Sequence, residues 1–299
     1  MAFQLRREER LDGEQLGAML EESPARAAQA ILLAAGQGLV DAQALLGQIL
    51  LDGRGIEQDP VLALRWFGIA AQGGHLMARN MLGRCHEHGW GCPADPGIAA
   101  GHYRQAAAAG LDWGLYNYAN LLATGRGVVQ DHAQALACYQ RAAQLGHAKS
   151  MNLLGRYLEE GQVCPADLEA ARDWYRRSAE GGDFRGQFSY AAVLAEAGRV
   201  GEAVEWLQRA LVGGNLNFLR VARGALLEAR HPQVRALALA YHQRAAQLGD
   251  ERDAARLAEL AATLDLLPSE GLAEVDAARV VEHQVVQAWA EDLSKDAKV

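Results

Sequence analysis

The chain has 299 residues, half of them hydrophobic but only 6% aromatic, and a net charge of −8. Lys and Arg are scattered among acidic neighbours, so no basic face is offered to a nucleic-acid backbone. No run approaches the ~20 apolar residues needed to cross a bilayer. The opening stretch MAFQLRREERLDGEQLG is charged where a signal peptide has an apolar core, so we expect a soluble, cytoplasmic protein. Abundant alanine, only seven prolines and no stretch of apolar–polar alternation point to an all-α chain.

In chain order, the first predicted element lies in residues 24–38. Ala34-Ala35 and Gly38 stand 36 residues ahead of Ala70-Ala71 and Gly74, as in the second helix of a degenerate unit. Four 36-residue units follow without a gap, at 42–77, 78–113, 114–149 and 150–185. Gly53, Gly89, Gly125 and Gly161 share one column, and Asp59, Asp95, Asp131 and Asp167 another. Ala63, Ala99, Ala135 and Ala171 form a third, and Phe67, Tyr103, Tyr139 and Tyr175 an aromatic fourth. Gly74, Gly110, Gly146 and Gly182 close the units. Each column has a mechanical reading. A first helix ends at a glycine that takes the left-handed conformation, and a short Gly-x-Gly loop follows in three of the four units. The aspartate then caps a second helix, aided in two units by proline at the first helical position.

Beyond residue 185 the period drops. Ala203 and Trp206 follow Ala171 and Trp174 by 32 residues, and the loop shortens to AEAGRVGEA. A sixth pair is expected from Phe218 to Gly249 and a further helix over 254–264. After Pro268-Ser269 a last amphipathic helix is expected over about 270–293, carrying Leu272, Val275, Val281, Val285 and Trp289. It would be a cap, a docking element or a means of self-assembly. The expected organisation is a repeat domain over 1–264, clearest at 42–185 and degenerate at 24–41 and 186–264, followed by a capping helix and tail over 265–299.

These columns resemble the Sel1-like repeat (SLR) family, a relative of the tetratricopeptide repeat. The first unit carries the family pattern in Ala42, Leu46, Gly47, Gly53, Gly55, Asp59, Ala63, Trp66, Ala70, Ala71 and Gly74. The resemblance implies a right-handed superhelical solenoid of antiparallel helix pairs, with no catalytic centre and no cofactor, whose first helices line a concave groove. The implied partner is another protein, bound as a peptide or helix, and the chain itself would be a monomer or weak homo-oligomer. If the Leu-Gly steps of the two patterns correspond, the column Ala44, Asn80, Tyr116, Asn152 and Phe188 faces the groove, and Leu45, Met81, Asn117, Leu153 and Ser189 face the core. The candidate site is then Asn80, Arg84, Trp113, Tyr116, Asn120, Asn152, Arg156 and Phe188. Amides can bracket a peptide backbone, guanidinium groups can fork onto carboxylates, and aromatics supply anchoring area. The competing reading has Arg84 pairing with Glu87 or His88, and Arg156 with Glu159 or Glu160, along a solvated helix.

Two other chemistries have partial signatures in the sequence. The glycine loops follow no strand and lack the Lys-Ser/Thr of a phosphate-binding loop. Cys85, His86, His88 and Cys92 are zinc-ligand types at close spacing, which sustains a second reading as a metal-binding or enzymatic protein. The repeat register instead assigns Cys85, His86 and Cys92 to ordinary packing and turn positions, and we expect no metal. Some secreted members of the resembled family join the two helices of a repeat through cysteine pairs. No unit here has one cysteine in each helix at a recurring position, so we expect reduced thiols.

Overall fold

The computed structural model describes residues 22–265, and the regular structure among them is fourteen α-helices with no strand. After α1 (Pro24–Gly36) come the pairs α2 (Val40–Asp52) with α3 (Pro60–Gln72), and α4 (Leu76–His88) with α5 (Pro96–Ala108). Then follow α6 (Asp112–Thr124) with α7 (His132–Gln144), and α8 (Ala148–Glu160) with α9 (Leu168–Glu180). The last pairs are α10 (Phe184–Glu196) with α11 (Val200–Gly213) and α12 (Leu216–Leu227) with α13 (Pro232–Leu248), and α14 (Glu251–Asp265) ends the described chain. The fifth and sixth pairs and the helix expected over 254–264 are all present. The helix expected over 270–293 lies outside the described residues. The chain divides into two compact units whose boundary falls within α7, between Cys138 and Tyr139.

Local chemistry sets the helix ends. Gly53, Gly89, Gly125 and Gly161 terminate the first helices in the left-handed region, with φ between 65° and 75°. Asp59, Asp95 and Asp167 accept the amides of Leu62, Ile98 and Ala170 at 2.9–3.0 Å, and Asp131 accepts that of Gln134 at 2.9 Å. Each capping aspartate also donates its own amide back to the last turn of the preceding helix, Asp59 to Leu50 and Asp95 to His86. The loop is thereby closed at both ends, and the start of the second helix is fixed relative to the end of the first.

In the first unit, two close approaches explain the repeat. Within a pair, Gly47 of α2 lies under the Phe67 ring and Gly83 of α4 under the Tyr103 ring, so near that a β-carbon would stand 2.7 and 2.5 Å from them. Between pairs, the second glycine of each loop touches the start of the second helix of the preceding pair. A β-carbon on Gly55 or Gly91 would sit 2.1 Å from the carbonyl oxygen of Pro24 or Pro60, and one on Gly127 2.3 Å from the Pro96 carbonyl carbon. Around these contacts the apolar stripes close over Leu46, Ile49, Ala63, Phe67, Ala70 and Met81.

In the second unit the glycine–aromatic contact recurs at Gly155 and Tyr175, and Ser178 Oγ donates to the Ala148 carbonyl at 2.7 Å. Farther on, Leu194, Leu207, Leu211, Leu219 and Tyr241 form a continuous core, with the Tyr241 hydroxyl donating to the Leu207 carbonyl at 2.7 Å. α14 is tied down by ion pairs. Buried Asp253 meets Arg223 of α12 at 2.8 Å and accepts from Arg220 Nε at 3.0 Å. Hydrogen bonding to Arg220 holds its carboxyl at about 2.

Two outcomes follow for stability. Gly91→Ala must place a β-carbon against Pro60 in left-handed backbone, and should cost about 3 kcal/mol or more in denaturant unfolding. Gly74→Ala, at φ 91° with open space around it, should cost about 1–2 kcal/mol; equal costs would refute the inter-pair contact. Asp253 has its carboxyl pKa below the unfolded value of about 3.9, so its contribution is complete above that pH and is lost as pH falls towards 2. Asp253→Asn should therefore lower stability at pH 7 and flatten the acid limb of the stability profile; an unchanged limb would show that the pair contributes nothing.

Candidate functional site

The structure sorts the eight candidate residues by burial. Asn80 and Asn152 are 2% and 4% exposed, which corrects the expectation that their column faces a groove. Asn80 Oδ1 accepts from Asn117 Nδ2 at 2.9 Å, so it joins the first helices of two consecutive pairs. Ala44 of the same column is also buried, whereas Leu45, Asn117, Leu153 and Ser189 of the column assigned to the core are only half-buried. The physical reason is helix rotation. Successive positions differ by ~100° around the axis, so a register argument off by one residue exchanges a solvent-facing column for an inter-helix one.

The remaining candidates reach the surface. In the first unit, Arg84 is exposed and lies over the Trp90 ring, 5.0 Å from its centroid. Neither expected partner holds it. Glu87 accepts the Tyr103 hydroxyl at 2.7 Å and pairs with Arg126 at 3.1 Å, while His88 packs against Trp90 at 4.8 Å between centroids. Trp113 and Tyr116, both half-buried, meet edge to face with centroids 6.0 Å apart. Asn120, half-buried, follows one turn after Tyr116 and occupies in α6 the position of Arg84 in α4. In the second unit, exposed Arg156 pairs with Glu160 at 3.2 Å, as the solvated-helix reading anticipates. Phe188 packs edge to face on Phe218 and lines a cavity of about 610 Å³ with Ala192, Leu226 and Val234.

Sequence reasoning missed the Glu87–Tyr103–Arg126 arrangement. Burial and the Glu87 carboxylate push the Tyr103 phenol well above its ordinary range, so it remains a donor. The pair recurs as Tyr175 with Glu159 at 2.6 Å. Its signal was present: the two positions, sixteen residues apart, read Leu51/Phe67, Glu87/Tyr103, Ala123/Tyr139 and Glu159/Tyr175, with a carboxylate accompanying a tyrosine in two units and an aliphatic side chain accompanying the phenylalanine.

Among the described residues, no three His, Cys, Asp or Glu side chains converge on a common point. Cys85 is buried, and its thiol is pushed up to about 11 by that burial and by neighbouring Cys92. Cys92 Sγ lies 3.4 Å from His86 Nδ1, and the His86 ring stacks on His102 at 5.6 Å. His88 turns to Trp90 instead. No helix among the described residues is long and apolar enough to cross a membrane.

Comparison with known proteins agrees with this architecture. The Sel1 repeat model matches residues 40–75, 76–111, 114–147, 148–183, 200–211 and 227–250. A protective antigen of uropathogenic Escherichia coli with an SLR fold is 27% identical, with a TM-score of 0.59 over 79% of this chain and 53% of that one. The chain thus spans about half the length of the antigen. A Sel1 repeat protein from Oxalobacter formigenes is 23% identical, with a TM-score of 0.64 over 85% of this chain and 100% of that one. No curated protein matches. Sel1 repeats mediate protein interactions, and, with their model covering more than half of its residues, the chain belongs to the Sel1 repeat family.

Proposed function

We propose that this protein is a non-catalytic scaffold that holds a peptide or helix of a partner protein on the first-helix face of its second and third repeats. The observation that carries this reading is the aromatic and guanidinium surface there. Trp113 and Tyr116 keep a half-exposed edge-to-face pair, and Arg84 is held extended over Trp90. Aromatic side chains and arginine are the residues that dominate binding energy at protein interfaces. A guanidinium stacked on a ring loses less freedom on meeting a carboxylate than one free in solvent. Asn120 lies one turn after Tyr116 on the same helix, half-buried at the edge of this surface. Asn80 and Asn152, being buried, serve the scaffold rather than the partner, while Arg156 and Phe188 belong to the second unit. None of the four cysteines is joined in a disulfide, which suits a reducing compartment, and we place the protein in the cytoplasm.

The test is affinity capture with Arg84→Glu/Asn120→Ala against the parent chain, with Arg209→Ala as a control elsewhere on the surface. The double variant should lose the captured partner while keeping its melting temperature, because neither position is in the core. Capture that survives the double substitution would overturn the assignment.

A further inference from the structure

The second unit buries an ionisable ring that makes no hydrogen bond. His242 of α13 is 6% exposed, and neither of its ring nitrogens has a hydrogen-bond partner among the described residues. The histidines that begin α4 and α8 differ in this respect, since Nδ1 of His75 and of His147 accepts an amide hydrogen, from Ala78 and Ser150. In the QRAAQLG echo, His242 stands where the third repeat has Tyr139 of the buried aromatic column. A group that titrates in mild acid therefore occupies a place that the regular repeats give to phenyl and phenol rings. Burial without partners is far less costly for the neutral imidazole than for the imidazolium.

The neighbouring charges make the imidazolium costlier still. α12 brings Arg223, 3% exposed, and α14 brings Asp253, 1% exposed, together with exposed Arg256. Asp253 is already engaged, with Arg223 at 2.8 Å and Arg220 Nε at 3.0 Å. α11 packs on α13 through Leu207 and Tyr241, and its own charges, Glu202, Glu205 and Arg209, are exposed. The other charged groups of α13, Arg235 and Arg244, are both positive. A protonated His242 would thus stand among arginines, beside one buried carboxylate that two guanidinium groups already share. Burial first, and then Arg223 and Arg256, hold its imidazole below the ordinary range.

We propose that His242 is the trigger of an acid-operated release of α14, in which protonation of the buried ring drives that helix off α12 and α13. α14 is the element that yields. α13 is also fastened to α11 by the Tyr241 hydroxyl, whereas α14 is held by the very ion pairs that an imidazolium disturbs. Released, His242 titrates at the ordinary value of about 6.5; docked, it titrates lower. Docking is therefore unaffected above about pH 6.5, and the equilibrium for release rises by up to about tenfold per pH unit from there down to the buried value. Asp253, held at about 2, stays ionised across this window, so the release comes before the acid limb that Asp253 governs. The first-helix face proposed for the partner lies in the other unit, and either assignment can fail without the other.

Native-state hydrogen exchange of the full-length chain at about pH 7 and about pH 5, corrected for intrinsic rates, tests the release. The opening of α14 should increase by about fivefold or more at the lower pH, while amides of α10 and α11 keep their protection. His242→Phe restores the phenyl group of the aromatic column and removes the titration. Its ratio of α14 opening between the two pH values should fall to about one, whatever its overall stability. In the parent, the His242 ring followed by NMR should titrate below about 6.5. An equal ratio in parent and variant, loss of protection in α10 and α11 together with α14, or a ring that titrates at or above about 6.5 would each overturn the proposal.

Discussion

Everything in the regular part of this molecule depends on how closely one stretch of backbone can approach another. At Gly55, Gly91 and Gly127 the loop of one pair touches the proline-led start of a helix in the pair before, at a distance that leaves no room for a β-carbon. At Gly47 and Gly83 the same economy operates inside a pair, where the helix surface is lowered to admit an aromatic ring. Burial of apolar side chains supplies the driving force, but it is non-directional. These contacts set the 36-residue period by fixing where each helix begins relative to its neighbours. The fourth regular repeat shows what is optional, since Val163 stands where the other loops have their second glycine.

Upon this frame polar groups have been distributed with different consequences at equivalent positions. Glu87 and Glu159 reach the hydroxyls of buried tyrosines on the second helix of their own pair, whereas the aliphatic Leu51 stands in the same column and Phe67 in that of the tyrosines. Asn80 spans two first helices through Asn117. Such bonds add little net stability, but leaving one partner unmatched is costly, so they discriminate against a slipped register. The glutamate at position 87 also serves Arg126 in the next loop, which joins the interior of one pair to the surface of the following one.

The repeat was legible in the sequence because its determinants are backbone devices with few substitutes: left-handed glycines, capping aspartates and a glycine beneath a ring. The later pairs were legible more loosely, since shortened loops leave only Ala203, Trp206 and the QRAAQLG echo as markers. The functional face was read less well. An asparagine on a helix looks solvent-facing in a sequence, and nothing at Asn80 announces that Asn117 of the next pair satisfies its side chain. Likewise, Arg84 had acidic and imidazole neighbours at helical spacing, yet its guanidinium lies over Trp90, a loop residue that helical spacing leaves out of account. For the close cysteines and histidines of the second repeat, the repeat register was a better guide than their spacing. Proximity in sequence does not imply convergence when helix geometry sends Cys85 inward and His88 to Trp90.

The Gly-x-Gly loop has a consequence beyond packing. Its first glycine ends a helix in left-handed backbone and its second lies against the backbone of the preceding pair, so both positions flanking the middle residue are set by backbone geometry. That residue is Arg54 in the first repeat, Trp90 in the second and Arg126 in the third. Trp90 supplies the platform for Arg84, and Arg126 the counter-charge for Glu87. These three repeats therefore each hold one variable letter in a constant frame, and the surface can be rewritten at those points without disturbing the grammar of the fold.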